Sequence, residues 1–153
     1  MSDLTSDLAL VCRVGARVYA LPLARVVEIM RPMPIETMAG TSPFIRGLSI
    51  IRGVPTPIID LGRLSGQEET RATRFVSITT GSRRIALLAD SVVGIRPIPA
   101  ESLQELPPLL GDLDAGVISA IGTLDAELLL VLRETNLVPE VLWSRIETGE
   151  LIA

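Results

Sequence analysis

Tyr19-Ala20-Leu21-Pro22-Leu23-Ala24-Arg25-Val26-Val27-Glu28-Ile29 has an echo further along the chain. Sixty-six residues on stands Ile85-Ala86-Leu87-Leu88-Ala89-Asp90-Ser91-Val92-Val93-Gly94-Ile95, identical at five of the eleven positions. Each copy runs on to an Arg-Pro-x-Pro, Arg31 to Pro34 in the first and Arg96 to Pro99 in the second. Self-similarity at a fixed offset marks a structural unit used twice. Apolar strands draw on few residue types, so coincidence is the competing explanation, and the shared Arg-Pro-x-Pro favours a true repeat. Both copies are aliphatic and β-branched, which suits strands. Two units of about 65 residues, each mostly strand, imply two similar small barrels packed together.

The flanking sequence extends this reading. Leu8 to Val14, a turn at Gly15-Ala16-Arg17 and Val18 to Leu21 form a predicted hairpin. Leu23 to Met30 carries helical spacing and β-branched residues together, which a helical turn leading into a strand would satisfy. Pro43 to Gly53 is a strand region, and so is Thr56 to Leu61, whose start is bracketed by Pro55 and Pro57, which suggest an edge strand or a strand entry. Ser65 to Thr70 is polar and marks the boundary between halves. Arg74 to Thr80 and Arg83 to Val93 repeat the opening pattern. Pro97 to Pro108 is an irregular connection, and Val117 to Leu124 with Glu127 to Leu132 form a last hairpin around Asp125-Ala126. Val138, Val141, Leu142 and Ile146 fall on one helical face, with Pro139 suited to a helix start.

The chain has 153 residues, of which 48% are apolar and only 3% aromatic, so its core must be aliphatic. It has no His, which removes imidazole bases and ligands. The fourteen basic residues are all Arg, so Schiff-base chemistry and a phosphate-loop lysine are excluded. A net charge of -4 argues against nucleic acid as a partner. The lone Cys12 lies in an apolar strand and reads as a small buried hydrophobe. The polar start, Met1 to Asp7, does not resemble a secretory signal, and no apolar run approaches the ~18 residues of a membrane helix. The expected location is cytoplasmic, without membrane insertion.

No constellation for catalysis emerges. Asp60 and Asp90 each follow an apolar strand, and a hydrolase would need them to converge in one pocket. Holding turns is the simpler role for both. No catalytic, cofactor-binding or metal-ligating residue is assigned. The aliphatic surplus points elsewhere: Val26, Ile29, Ile50, Ile51, Val54 and Ile58 exceed what two small barrels can enclose, and an exposed apolar patch edged by charge is a protein-contact surface. Arg46, Arg52 and Glu28 lie beside it. From the residues alone, ordinary exposed charge is the simpler reading, and an orienting Arg–Glu pair the alternative.

These residues carry a recognisable pattern. Pro43-Phe44-Ile45-Arg46-Gly47, then Arg52-Gly53, then Pro57-Ile58-Ile59-Asp60-Leu61, resembles the CheW-like domain family, the adaptors of bacterial chemosensory arrays. Tyr19-Ala20-Leu21-Pro22-Leu23, Val26-Val27-Glu28-Ile29 and Ala86-Leu87-Leu88-Ala89-Asp90-Ser91-Val92 are similar to its other pieces. The resemblance implies an all-β fold of two SH3-like five-stranded barrels with a C-terminal helix. A single domain would cover 8–138, its barrel halves 8–66 and 67–138, with a helical tail at 139–153. It also implies a non-enzymatic adaptor, needing no cofactor. Its partners would be the regulatory domain of a CheA-type histidine kinase and the cytoplasmic tip of a methyl-accepting chemoreceptor, which would hold it at membrane receptor arrays. The resemblance implies protein-binding roles for Val26, Glu28, Gly47 and Arg52; with the surplus aliphatics and the charges and turn beside them, the expected contact residues are Val26, Glu28, Ile29, Arg46, Gly47, Ile50, Arg52, Gly53, Val54 and Ile58. Ile50 stands where the family usually has Asn, Val54 where it often has a basic residue, Ala86 where it has Gly, and Arg133 follows Leu132 in place of Asp. The alternatives are a divergent scaffold in a non-flagellar chemosensory pathway and an unrelated β-barrel binding module.

Overall fold

The computed structural model describes residues 8–64, 71, 73–105, 118–133 and 137–149. Ten strands follow one another: β1 (Leu8–Val14), β2 (Arg17–Pro22), β3 (Val26–Met30), β4 (Ile45–Ile51), β5 (Val54–Asp60), β6 (Arg74–Thr80), β7 (Arg83–Ala89), β8 (Ser91–Pro97), β9 (Ile118–Leu124) and β10 (Glu127–Leu132). Two helices join them, α1 (Leu61–Leu64) and α2 (Glu140–Glu147). A 3-10 turn at Leu23–Arg25 leads into β3, as the mixed signal there predicts.

The strands form two five-stranded sheets, ordered β8-β1-β2-β10-β9 and β3-β6-β7-β5-β4. Each is an SH3-like unit. In the second, Met30, Ile51, Ile58, Phe75, Ala86 and Leu88 come from all five strands and meet in one cluster, which closes the sheet around an interior. In the first, Ala9, Val11, Val18, Ala20 and Leu129, from β1, β2 and β10, form the matching cluster, with Ile98, Leu124 and Val131 packed against it.

The repeat is real, and it is exchanged. Adding five to each strand number turns one sheet order into the other. The offset of sixty-six relates β1 to β6 end for end, and it also relates two bulges, at Val27 against β6 and at Val93 against β1. An offset of seventy-three relates the bulges at Arg46 and Ser119. Each half of the chain therefore gives a hairpin to one sheet and three strands to the other. The expected division into halves 8–66 and 67–138 is not how the sheets divide. The first sheet takes 8–22 with 91–97 and 118–132, the second 26–60 with 74–89. The polar boundary at Ser65 to Thr70 lies outside the described residues.

β5 is interior, not an edge strand: it lies between β7 and β4. Its prolines fit because Pro55 and Pro57 are matched only by β4, while parallel pairing to β7 starts at Ile58. The missing N–H groups cost no ladder bond on that side.

Strands such as β1 and β7 are buried on both faces, which explains their unbroken apolar runs. One face fills its own barrel. The other meets the opposite sheet in a shared core containing Leu10, Cys12, Tyr19 and Leu21 with Ile59, Val76, Ile85 and Leu87. The Tyr19 hydroxyl donates to the Leu61 carbonyl at 2.8 Å across this junction. Burial pushes the Cys12 thiol up to about 12, so it stays an inert hydrophobe.

Helix α2 covers one end of the shared core with Leu142 and Trp143. The predicted face is corrected here: Val141 is 70% exposed and Trp143 takes its place. Arg83 lies over the Trp143 ring at 4.8 Å and bonds both Glu140 and Glu147, which rotates the helix toward the indole.

Candidate functional site

The second sheet has two edges, β3 and β4, and the site forms where they approach. The β4–β5 hairpin turns through Arg52 and Gly53, both at positive φ, 49° and 80°. This is the primed turn that matches the twist of the strands, and glycine suits its second position. An arginine at its first position is strained, and its side chain explains the placement. The Arg52 guanidinium donates to Glu28 on β3 through Nε at 2.6 Å and Nη2 at 2.8 Å. That fork ties one edge of the barrel to the other. It holds the Glu28 carboxyl below its ordinary value of 4.5, first through the Arg52 hydrogen bond, with Arg84 adding to the effect. The Arg52 side chain remains 70% exposed.

Apolar side chains flank the clasp. Ile29 on β3, Ile50 near the end of β4 and Val54 at the start of β5 are all exposed, and Val26 is half-buried. The structure thus brings Glu28, Ile29, Ile50, Arg52, Gly53 and Val54 to the strand edges joined by the clasp.

Two expected contact residues, Ile58 and Gly47, are buried, and a third, Arg46, is half-buried and tied to the core. Ile58 is fully buried in the second barrel and cannot reach a partner. Gly47 is buried at a φ of 143°, where an added Cβ would lie 2.1 Å from the Glu36 carbonyl oxygen. The reason is a close crossing, in which Glu36 and Leu48 exchange backbone hydrogen bonds over β4 at 2.7 and 2.8 Å. Arg46 is the bulged residue of β4, and its Nη1 donates at 3.0 Å to the fully buried Asp60. The other Asp60 oxygen accepts the Arg63 N–H at the start of α1. Asp90 accepts the Gly15 N–H at 2.7 Å. Both carboxylates hold backbone, as expected of turn residues. Among the described residues no group of three or more His, Cys, Asp or Glu could hold a metal ion.

The other barrel carries a counterpart with its charges reversed. Asp125 and Ala126 repeat the turn with φ of 50° and 67°, and Asp125 lies 3.8 Å from Arg96 on β8. The strand carries the cation here and the turn carries the anion. Val93 and Ile95, the repeats of Val27 and Ile29, are exposed beside it.

With this geometry in place, comparison with known proteins is decisive. The family model described as the CheW-like domain matches residues 8–141. The chain belongs to the CheW-like domain family. Protein FrzA of Myxococcus xanthus is 35% identical over 121 residues, covering 74% of this chain and 75% of that protein. Chemotaxis protein CheW of Klebsiella aerogenes is 26% identical over 125 residues, covering 80% and 75%. The crystal structure of scaffolding protein TtCheW from Thermoanaerobacter tengcongensis shares the fold with a TM-score of 0.73, 22% identity and 84% of each chain covered. Within this CheW-like chain, two features escaped the sequence reading: Arg84 acting on Glu28, and the Arg83–Trp143 stack. The one signal available was that Trp143 is the only tryptophan of the chain.

Proposed function

We propose that this CheW-like chain is the coupling adaptor of a chemosensory array. It holds the regulatory domain of a CheA-type histidine kinase and the cytoplasmic tip of a methyl-accepting chemoreceptor, and it does no chemistry of its own. The observation that carries this reading is the Glu28–Arg52 clasp. It presents an exposed guanidinium among exposed Ile29, Ile50 and Val54 on a rigid barrel edge. A few central aliphatic and arginine contacts dominate such interfaces, and each can be weak where an array supplies avidity. The acidic chain gives no basic field for nucleic acid. Among the described residues no helix is long and apolar enough to cross a membrane, so the adaptor is placed at the membrane by its receptor.

Calorimetric titration against the regulatory domain of a CheA-type kinase from the same genome tests the reading. Binding is expected, and Ile50→Glu or Val54→Glu should weaken it about tenfold or more. A folded protein that binds no kinase encoded there would overturn the kinase assignment. The second reading is a scaffold for a pathway other than flagellar chemotaxis. It is favoured by Ile50 and Val54 standing where the family usually has polar or basic residues. Binding to a kinase of such a pathway alone would select it.

A further inference from the structure

A cleft of about 360 Å³ opens between the start of β5, the start of β7 and helix α2. Trp143 lines its buried end, Ile146 and Pro55 are half-buried, and Val54 and Arg84 stand at the exposed end. The cleft is separate from the clasp but continuous with its flank, because Val54 belongs to both. Its α2 wall, Trp143 and Ile146, lies beyond the residues 8–141 that match the family model.

The charges decide what the cleft can hold. Glu147 lines it but is bonded to Arg83, and Arg83 is shared between Glu147 and Glu140. Those charges are mutually satisfied. Arg84 has no bonded carboxylate among the described residues, and it reaches Glu28 only through a weak field. One available cation therefore stands above an apolar wall. A volume near the lower end of the ~300–1,000 Å³ range of ligand pockets suits one large side chain better than a cofactor. A segment leaving the cleft lands on exposed Val54, and from there on the adaptor's contact surface.

We propose that this cleft is a second docking site, for a partner protein segment that inserts one large apolar side chain with a carboxylate beside it, the carboxylate pairing with Arg84. The site goes beyond the coupling function, does not use the Arg52–Glu28 pair, and shares only Val54 with the contact surface.

Trp143 is the only tryptophan of the full chain, so its emission reports occupancy directly. The probe is the capped hexapeptide SDLFES, set against SNLFQS, which lacks the carboxylates, and SDAAES, which lacks the apolar side chains. SDLFES should shift Trp143 emission saturably, SNLFQS should bind about fivefold more weakly, and SDAAES should give no shift. In the Arg84→Gln chain SDLFES and SNLFQS should bind alike, and an Ile146→Ala chain should weaken both. The Ile146→Ala chain should keep its affinity for the kinase domain, which separates this proposal from the adaptor reading.

The proposal is overturned if SDLFES gives no saturable shift, or if both peptides bind the natural chain equally. It is overturned in favour of a small amphiphile if sodium decanoate shifts the emission while no peptide does. A shift that grows with protein concentration alone, together with a dimer in sedimentation, would make a second copy of this chain the occupant. Loss of kinase binding in the Ile146→Ala chain would merge the cleft with the kinase surface and remove the second site.

Discussion

Ile50 and Ile58 are eight positions apart, carry the same side chain, and have opposite fates. Ile50 is 56% exposed and Ile58 is fully buried. Removing the Ile58 side chain leaves a cavity in the second barrel, and Ile58→Ala should cost about 2–5 kcal/mol in urea unfolding. Ile50→Ala should cost less than about 0.5 kcal/mol and should act on binding instead. Gly47→Ala belongs with Ile58: its Cβ would collide with the Glu36 carbonyl, and a loss of about 3 kcal/mol or more is expected. Any loss of coupling in that variant would report a disturbed β4, not a lost contact. Arg52→Ala should leave the unfolding midpoint almost unmoved while reducing partner binding. A variant that unfolds would make Arg52 structural. Glu28 has its folded value lowered below the unfolded one, so the clasp stabilises fully above the ordinary carboxylate range and is lost as pH falls through the lowered value. Partner binding should therefore be flat from neutral pH down past the ordinary carboxyl value and fall only as pH drops through the lowered Glu28 value, and Glu28→Gln should remove that acid limb. The sequence alone left this pair as ordinary exposed charge, because Glu28 and Arg52 lie twenty-four residues apart and meet only when the barrel closes. Family resemblance raised it. The resemblance put Gly47, and the aliphatic surplus put Ile58, at the contact surface, and alternation could not correct either, because it cannot be carried past the bulge at Arg46 or along a strand buried on both faces.

At the scale of elements, most strands and turns were legible, but the expected run Arg83 to Val93 breaks at Asp90 into β7 and β8, and the facing of α2 was not legible. The hairpins at Gly15, Gly81 and Asp125 are set by local turn chemistry, and both glycines adopt the positive φ their turns require. Helix α2 is only eight residues long, so a one-residue rotation exchanges Val141 for Trp143. The deciding partner, Arg83, lies fifty-seven residues from Glu140 in sequence. Arg83 grips the helix at both ends through Glu140 and Glu147 while covering the indole. Arg83→Ala should therefore free α2 without unfolding the barrels. Trp143 emission should move to the red, and amide exchange should rise along α2 before it rises in β6 or β7. Glu140 is held below its ordinary carboxyl value chiefly by the Arg83 hydrogen bond. The natural chain should then show the same red shift on acidification below about pH 4.5, as Glu140 takes up its proton and the grip is lost. An unchanged spectrum in both experiments would mean that packing of Leu142 and Trp143 alone seats the helix.

For the whole molecule, the repeat was legible and its exchange was not. A sequence offset reports that two units match, but it is silent on whether each unit completes its own sheet or its twin's. Here every sheet needs both halves: the hairpin β1–β2 has its neighbours in β8 and β10, and β6–β7 has its neighbours in β3 and β5. The two barrels also share one core, with the inner faces of β1, β2, β6 and β7 packed together. Independent folding of the halves is thereby excluded on two grounds. Each half alone would expose both a broken ladder and half of the shared core. Equilibrium unfolding should be a single transition, with circular dichroism from the strands and emission from Trp143 tracing coincident curves. Residues 1–66 and 67–153, expressed apart, should each be unstructured or aggregated, and mixing them should restore strand signal if the connecting loop serves only as a tether. Two separated transitions, or a cooperative fold in either fragment, would show that the sheets can be completed within a half. The reversed clasps, Glu28–Arg52 on one barrel and Arg96–Asp125 on the other, would then be the contacts to test for that alternative pairing.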